Sequence, residues 1–314
     1  MSLFEHLKLI EDTRSYINRH HDLVDIIFLV LSATVSGCKG WREIAEFGNE
    51  HIDWLKKHRA FDSGIPTRHS IARIMKAIDV ERMTLVLFQW SNARRQASQR
   101  PLIAIDGKTL RGAVNQQGKE NALHLVTAYD TDDGLVLYQQ DTKTKGSELV
   151  TVRDMLTMLD IKDAILSFDA LHCNQETLKQ ISQRKGDYVV QVKGNQPKLR
   201  EAIEEQFKPY WAQETLEIAS YSESNKGHGR EERRSVFQLA ANLPKELKKK
   251  WPSAKTIIAV ERERKKGNRT SFDTHYYLSS LAIEPELAYR AIRQHWHIEN
   301  KQHWVLDVTF KEDS

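Results

Sequence analysis

The chain has 314 residues, 40% of them hydrophobic and 29% charged, with a formal net charge of +4. That composition excludes a low-complexity polymer, and its two cysteines, Cys38 and Cys173, exclude a disulfide framework and show no metal-type spacing. The strongest apolar stretch, Leu23 to Val35, contains Asp25 and is too short for a bilayer, and there is no secretory leader pattern, so a cytoplasmic protein with no membrane partner is expected.

Residues 1–96 read as an all-helical domain. Val24, Ile27 and Leu31, and then Trp41, Ile44 and Phe47, recur at helical spacing, and Asp22 is placed to cap the first of these helices. Pro66 to Ile74 reads as a turn followed by a short basic helix of the kind that can lie against DNA. Ala97 to Arg100, before Pro101, reads as a linker. The pattern then changes. Leu102–Asp106, Leu123–Tyr129 and Leu135–Gln140 read as three strands, the last two joined by an Asp132-Asp133-Gly134 turn. Glu148–Leu159 reads as a helix, Ala164–Asp169 as a strand, Gln175–Arg184 as a helix, Tyr188–Lys193 as a strand and Leu199–Phe207 as a helix. The alternating stretches Thr215–Leu239 and Lys255–Leu278 form a β-rich insertion spanning about 196–284, and Glu286 to Val305 reads as one late helix. This order predicts an α/β ribonuclease-H-like catalytic domain over residues 97–314.

Charge is unevenly spread. Lys226 to Arg269 holds 14 Lys and Arg against 5 Asp and Glu, which points to a polyanion such as nucleic acid, where binding would fall steeply with salt.

Two apolar runs, Pro101–Asp106 and Ala164–Asp169, each end in an aspartate, so both are expected to carry a carboxylate at a stiff strand tip. Glu299, on the late helix, is a third acid. Three converging carboxylates suit a pair of hard cations about 4 Å apart, which activate the nucleophile and relieve charge on the leaving oxygen in phosphodiester cleavage. His295, Glu299 and His303 share a helix face, but the spacing is not that of a zinc protease. Trp296 and Trp304 are expected to pack in the core rather than stack on a base.

The blocks Ile105-Asp-Gly-Lys-Thr-Leu-Arg-Gly112, Phe168-Asp-Ala-Leu-His172, Val192-Lys-Gly-Asn-Gln196, Gly227-His-Gly-Arg-Glu231 and His295-Trp-His-Ile-Glu-Asn300, continued by Gln302 to Val308, resemble the H-repeat-associated DDE transposases of bacterial insertion sequences. Trp41 to Gly48 and Gly64 to Thr67 look like the helical domain attached to that family. The resemblance implies a transposase that cleaves insertion-sequence ends and transfers the strands. It implies Asp106, Asp169 and Glu299 as catalytic and metal-holding residues, Mg²⁺ (with Mn²⁺ as substitute) as cofactor, double-stranded DNA as partner and a homodimer on DNA. Lys108, Arg111, Lys193, Asn195 and Arg230 lie within the blocks as DNA-contacting residues. The related group carries Arg and Lys around its glutamate where this chain has His295 and Leu306, so Arg293 and Lys301 are expected to substitute. Family members continue past the Asp307–Asp313 block, so a truncated fold end is expected. A DNA-binding remnant without activity and a nuclease that cuts without joining are the alternatives.

Overall fold

A computed structural model of the chain describes residues 2–95, 100–110, 123–142, 147–212, 217–227, 230–267 and 269–310. The chain divides into two compact units, Met1–Arg95 and Gln96–Ser314.

Among the described residues of the first unit the α-helices are α1 (Leu3–Leu7), α2 (Leu23–Val35), α3 (Trp41–Glu50), α4 (Ile52–Leu55), α5 (Arg68–Lys76) and α6 (Val80–Asn92). Ser2, Asp22, Thr67 and Asp79 each accept a first-turn backbone N–H with their side chains, satisfying donors that lack a partner within the helix. Helix α2 is apolar almost all round and is buried accordingly. Its one buried acid, Asp25, accepts from Arg59 Nε at 2.7 Å and from the Phe61 N–H at 2.9 Å, the partners a desolvated carboxylate requires. In α5, Ile71 and Ile74 turn inward while Arg68, Arg73 and Lys76 are exposed.

The second unit is built on one nine-stranded sheet. Its strands are β1 (Leu102–Leu110), β2 (Leu123–Asp130), β3 (Leu135–Thr142), β4 (Ile165–Phe168), β5 (Asp187–Val192), β6 (Ala219–Gly227), β7 (Arg230–Ala240), β8 (Thr256–Lys266) and β9 (Arg269–Ser279). They lie in the order β3-β2-β1-β4-β5-β9-β8-β7-β6. Only β4 is paired in parallel, with β1 on one side and β5 on the other; the remaining pairs are antiparallel. The four strands of the expected insertion therefore extend the main sheet through the β5–β9 pairing instead of forming a sheet of their own. The β2–β3 turn forms where Asp132-Asp133-Gly134 predicts it. Asp130 Oδ1 accepts the N–H groups of Asp132 and Asp133 at 3.1 Å each, and Gly134 takes the left-handed φ of 69°.

Strand alternation divides the core in two. Ile103, Ile105, Leu166, Phe168, Tyr188 and Val190 face α7 (Glu148–Met158), α8 (Gln175–Gln183) and α9 (Pro197–Ala212). Leu102, Ile165, Val189, Val236 and Ile258 face α11 (Pro285–His297), which buries Ala288, Tyr289, Ala291 and Ile292 against them. The short α10 (Lys245–Lys250) lies between β7 and β8 in sequence. Burying one such aliphatic side chain contributes about 1.5–3 kcal/mol, so α11 is firmly seated on the sheet.

Two elements depart from the sequence reading. Strand β1 continues past Asp106 to Leu110, because β2 pairs with it as far as Leu110↔Leu123. Asp106 is thus mid-strand rather than at a strand tip. The late helix is not uniform either: α11 gives way to a π-helical segment, Ile298–His303, before α12 (Trp304–Val308).

Candidate active site

The parallel ladder between β1 and β4 ends at Ile105↔Phe168. The next residue on each chain is an aspartate, so register alone brings Asp106 and Asp169 out side by side. Asp106 is held straight by β2 on its other edge, where it is paired with Thr127. Asp169 leaves its strand and caps the 3-10 turn Ala170–His172, accepting the Leu171 N–H at 2.9 Å. That turn is tied from outside: Asn195 Nδ2 donates to Ala170 O at 2.6 Å and Gln196 Nε2 to Cys173 O at 3.0 Å.

Glu299 arrives from the π-helical segment. Its neighbour Ile298 is fully buried against Ala104 and Tyr129, which fixes the segment on β1 and β2. Single-turn π segments interrupt the helical phase and concentrate at functional sites. Here the segment places Glu299, itself exposed, at the rim of a cavity of about 160 Å³ lined by Asp106, Asp169, Lys193, His295 and Trp296. Ser167 Oγ and His295 Nδ1 lie 3.0 Å apart, pinning the imidazole to β4.

The electrostatics are those of under-compensated negative charge. Burial pushes the Asp106 carboxyl up to about 7, against a bond from the Gly107 N–H, with Glu299, Asp169 and Glu148 adding repulsion. Glu299 is raised by desolvation and then by Asp169. The histidines do not offset this: burial holds His295 and His303 down to about 4, so both are neutral near pH 7. His303 Nδ1 lies 3.8 Å from Asp106 Oδ2. Among the described residues, no three His, Cys, Asp or Glu side chains are drawn close enough to hold an ion as they stand. In donor chemistry, however, three carboxylates on one cavity with a raised aspartate fit a hard divalent cation, whose charge would relieve the repulsion.

The residues expected to contact DNA are distributed differently. Lys193 is exposed and lines the cavity. Arg293 lines an adjoining cavity of about 200 Å³ together with Lys193, Arg234, Arg262 and His275. Arg234 and Arg262 were not singled out by sequence, since each is one of many arginines in a basic stretch; β7 and β8 align them beside Arg293. Arg234 pairs with Glu232, and Arg262 Nη2 lies 2.7 Å from Asp273 while its Nε is buried without an acceptor among the described residues. Lys301 is exposed on the π-helical segment. Lys108 instead pairs with Asp307 and donates to His303 O at 3.3 Å, so it braces the end of the late helix. Asn195 is engaged by the Ala170 carbonyl. Arg111 lies outside the described residues, and Arg230 is described only as the first residue of β7. Trp296 and Trp304, expected in the core, are 44% and 55% exposed, because the apolar seam of α11 runs through Ala288, Ala291 and Ile292 instead.

Comparison with known proteins follows the same division. Residues 4–91 match the family described as "DDE_Tnp_1-associated" and residues 97–314 the family described as "Transposase DDE domain". The "H repeat-associated putative transposase YhhI" of Escherichia coli K12 is 36% identical over 320 residues, covering 99% of this chain and 83% of that protein. "Putative transposase YncI" of Escherichia coli O157:H7 is 34% identical, covering 100% and 81%. The "H repeat-associated putative transposase YbfD" of Escherichia coli K12 is 36% identical over 245 residues, covering 78% of this chain and 96% of that protein.

Proposed function

This chain belongs to the family of DDE-domain transposases; on that premise we propose that it cuts phosphodiesters at insertion-sequence ends and joins the freed strands to target DNA, with Asp106, Asp169 and Glu299 as its catalytic carboxylates. The observation that carries this reading is the shared cavity: the end of the β1–β4 ladder and the π-helical segment bring three acids, distant in sequence, into the lining of one cavity. We read the unit over residues 97–314 as ribonuclease-H-like, with residues 1–96 as a helical domain and about 196–284 as the insertion. The sheet order β3-β2-β1-β4-β5 with β4 parallel to both neighbours supports that assignment.

In this reading the three carboxylates would hold two Mg²⁺ ions, with Mn²⁺ as substitute. When bound, such ions supply Lewis acidity at the scissile phosphate and relief of charge on the leaving oxygen. The chain's own residues do the rest. Asp106 feels both other acids and would contribute a carboxylate toward the ions beside them. Asn195 and Gln196 hold the Asp169 turn still. Neutral His295, fixed by Ser167, adds no competing charge. Lys193, Arg234, Arg262 and Arg293 form a cationic wall that continues from the acids into the adjoining cavity and suits a DNA backbone, since phosphate contacts fix register on the duplex. Two copies would each take one end, as in the expected dimer on DNA.

A labelled duplex made from the DNA that flanks this protein's own gene tests the proposal. Cutting and joining in Mg²⁺, both lost in Asp106→Asn, Asp169→Asn and Glu299→Gln while the duplex is still bound, is the expected result. Cutting without joined products would make it a nuclease, and binding without cutting a non-catalytic DNA-binding protein. Activity unchanged in Asp106→Asn would sink the assignment of the acids.

A further inference from the structure

A fourth buried carboxylate stands behind the site. Alternation along β1 turns Asp106 and Lys108 toward α11 and sends Gly107 and Thr109 to the opposite face, toward α7. There Glu148, the first residue of α7, is only 7% exposed. Its Oε2 accepts from His124 Nε2 at 2.8 Å and its Oε1 from His172 Nε2 at 3.0 Å. His124 Nδ1 in turn accepts from the Thr109 hydroxyl at 2.8 Å. This chain of bonds assigns the Nε2–H tautomer to both rings.

The members come from four elements. Thr109 is on β1, His124 on β2, Glu148 on α7, and His172 on the turn that Asp169 caps. His172 is 1% exposed and its ring centroid lies 5.5 Å from that of Phe168, so the turn cannot swing without breaking a buried bond. Gly107 closes the other side. A Cβ there would stand 2.7 Å from Glu148 Oε1 and 2.9 Å from His124 Nε2, closer than any side chain allows. The backbone next to Asp106 therefore lies against the Glu148 carboxylate, close to the same Oε1 from which the turn next to Asp169 hangs through His172.

We infer that Glu148 is a positioning residue: through His124 and His172 it sets the separation of Asp106 and Asp169, and so their affinity for divalent cations, without itself touching cation or DNA. It stands on the opposite face of the sheet from the cavity lined by the three acids, with each oxygen accepting from an imidazole, which removes it from the set of direct ligands. Partners that orient metal-binding side chains matter in this way because small errors in ligand placement cost affinity steeply. A glutamine would replace it only by turning its NH₂ to one ring, which demands that ring's other tautomer: His172 would then bury an Nδ1–H where Nδ1 has no partner among the described residues, and His124 would have to reverse its bond with Thr109.

The inference rests on reading Asp106, Asp169 and Glu299 as the metal-holding acids, and the experiment separates the two. The 314-residue wild-type chain, Glu148→Gln, Gly107→Ala and Asp106→Asn are compared for end-duplex binding in EDTA, for the rise in melting temperature with added Mn²⁺, and for cleavage as a function of Mg²⁺. Glu148→Gln is expected to bind DNA like wild type, to need about tenfold more Mg²⁺ for half-maximal cleavage and to show a weaker Mn²⁺-induced rise. Gly107→Ala, which displaces the same carboxylate, should do the same, and the double variant should be little worse than either, since both break one device. If Glu148→Gln does not fold, Gly107→Ala carries the test. A wild-type Mg²⁺ requirement in the folded variants, with Asp106→Asn inactive, would overturn the positioning role alone. Cleavage by Asp106→Asn would overturn the reading of the acids as well.

Discussion

Replacing Asp106 by asparagine should stabilise the protein, even as it abolishes catalysis. The carboxyl is pushed up to about 7 in the folded state against an ordinary value of 3.8, burial being the main cause. A raised carboxyl pKa means that the folded form holds its proton more tightly than the unfolded form does. Its contribution to stability is fully present below pH 3.8 and is lost as pH rises through about 7. At pH 8 the ionised side chain therefore costs about 4 kcal/mol, taking 1.36 kcal/mol for each unit of pKa. Asparagine removes that cost and keeps an oxygen for the Gly107 N–H, so its gain should approach about 4 kcal/mol at pH 8 and shrink to about 2 kcal/mol at pH 5, where folded wild type is already protonated. A gain of that size raises the melting temperature of a unit this large by roughly 10 °C. Urea unfolding followed by tryptophan fluorescence, in EDTA at both pH values, reads the difference directly. Adding Mg²⁺ should then raise wild-type stability and close part of the gap, because a ligand of the folded state stabilises it by mass action. No gain at pH 8, or the same gain at pH 5, would refute the argument that desolvation and crowded carboxylates strain this site.

Other substitutions separate positioning from chemistry. Glu299→Gln should abolish cutting yet change stability by less than about 0.5 kcal/mol, since the side chain is exposed; a large loss in chemical denaturation would contradict the placement of Glu299 at the rim. Ile298→Ala should cost about 2–4 kcal/mol by emptying its niche against Ala104 and Tyr129, and should slow cleavage as Glu299 loses its anchor; unchanged single-turnover rates would argue against that coupling. Asn195→Ala, which frees the Ala170 carbonyl, should cost about 1 kcal/mol and lower the cleavage rate with DNA affinity intact. Arg293→Ala should weaken end binding and reduce the slope of log affinity against log salt by about 1, whereas an unchanged slope would remove Arg293 from the phosphate track.

Local chemistry was readable from sequence wherever a few neighbouring residues decide the outcome. Asp22 caps its helix, Asp132-Asp133-Gly134 makes its turn, and the apolar runs before Asp106 and Asp169 are strands, because capping, turn geometry and burial periodicity depend on adjacent side chains. Acids at those positions could be named as candidates, and the ordered blocks around them indicated a family. What chain order alone did not settle lies in contacts between distant segments. The first strand reads as ending at Asp106, yet β2 carries β1 on to Leu110 by pairing with it from a separate segment of the chain. The helical period of residues 286–305 gives no sign of the π-helical segment at Glu299, which buried Ile298 accompanies by packing on β1 and β2. Lys108 looks like a free cation until Asp307 is folded beside it. Glu148, an unremarked helix-start acid, becomes a bridge only when His124 and His172 are brought to it from β2 and the Asp169 turn. Propensity acts over a few residues and is written locally; register, desolvation and charge crowding are sums over neighbours that only the folded chain assembles.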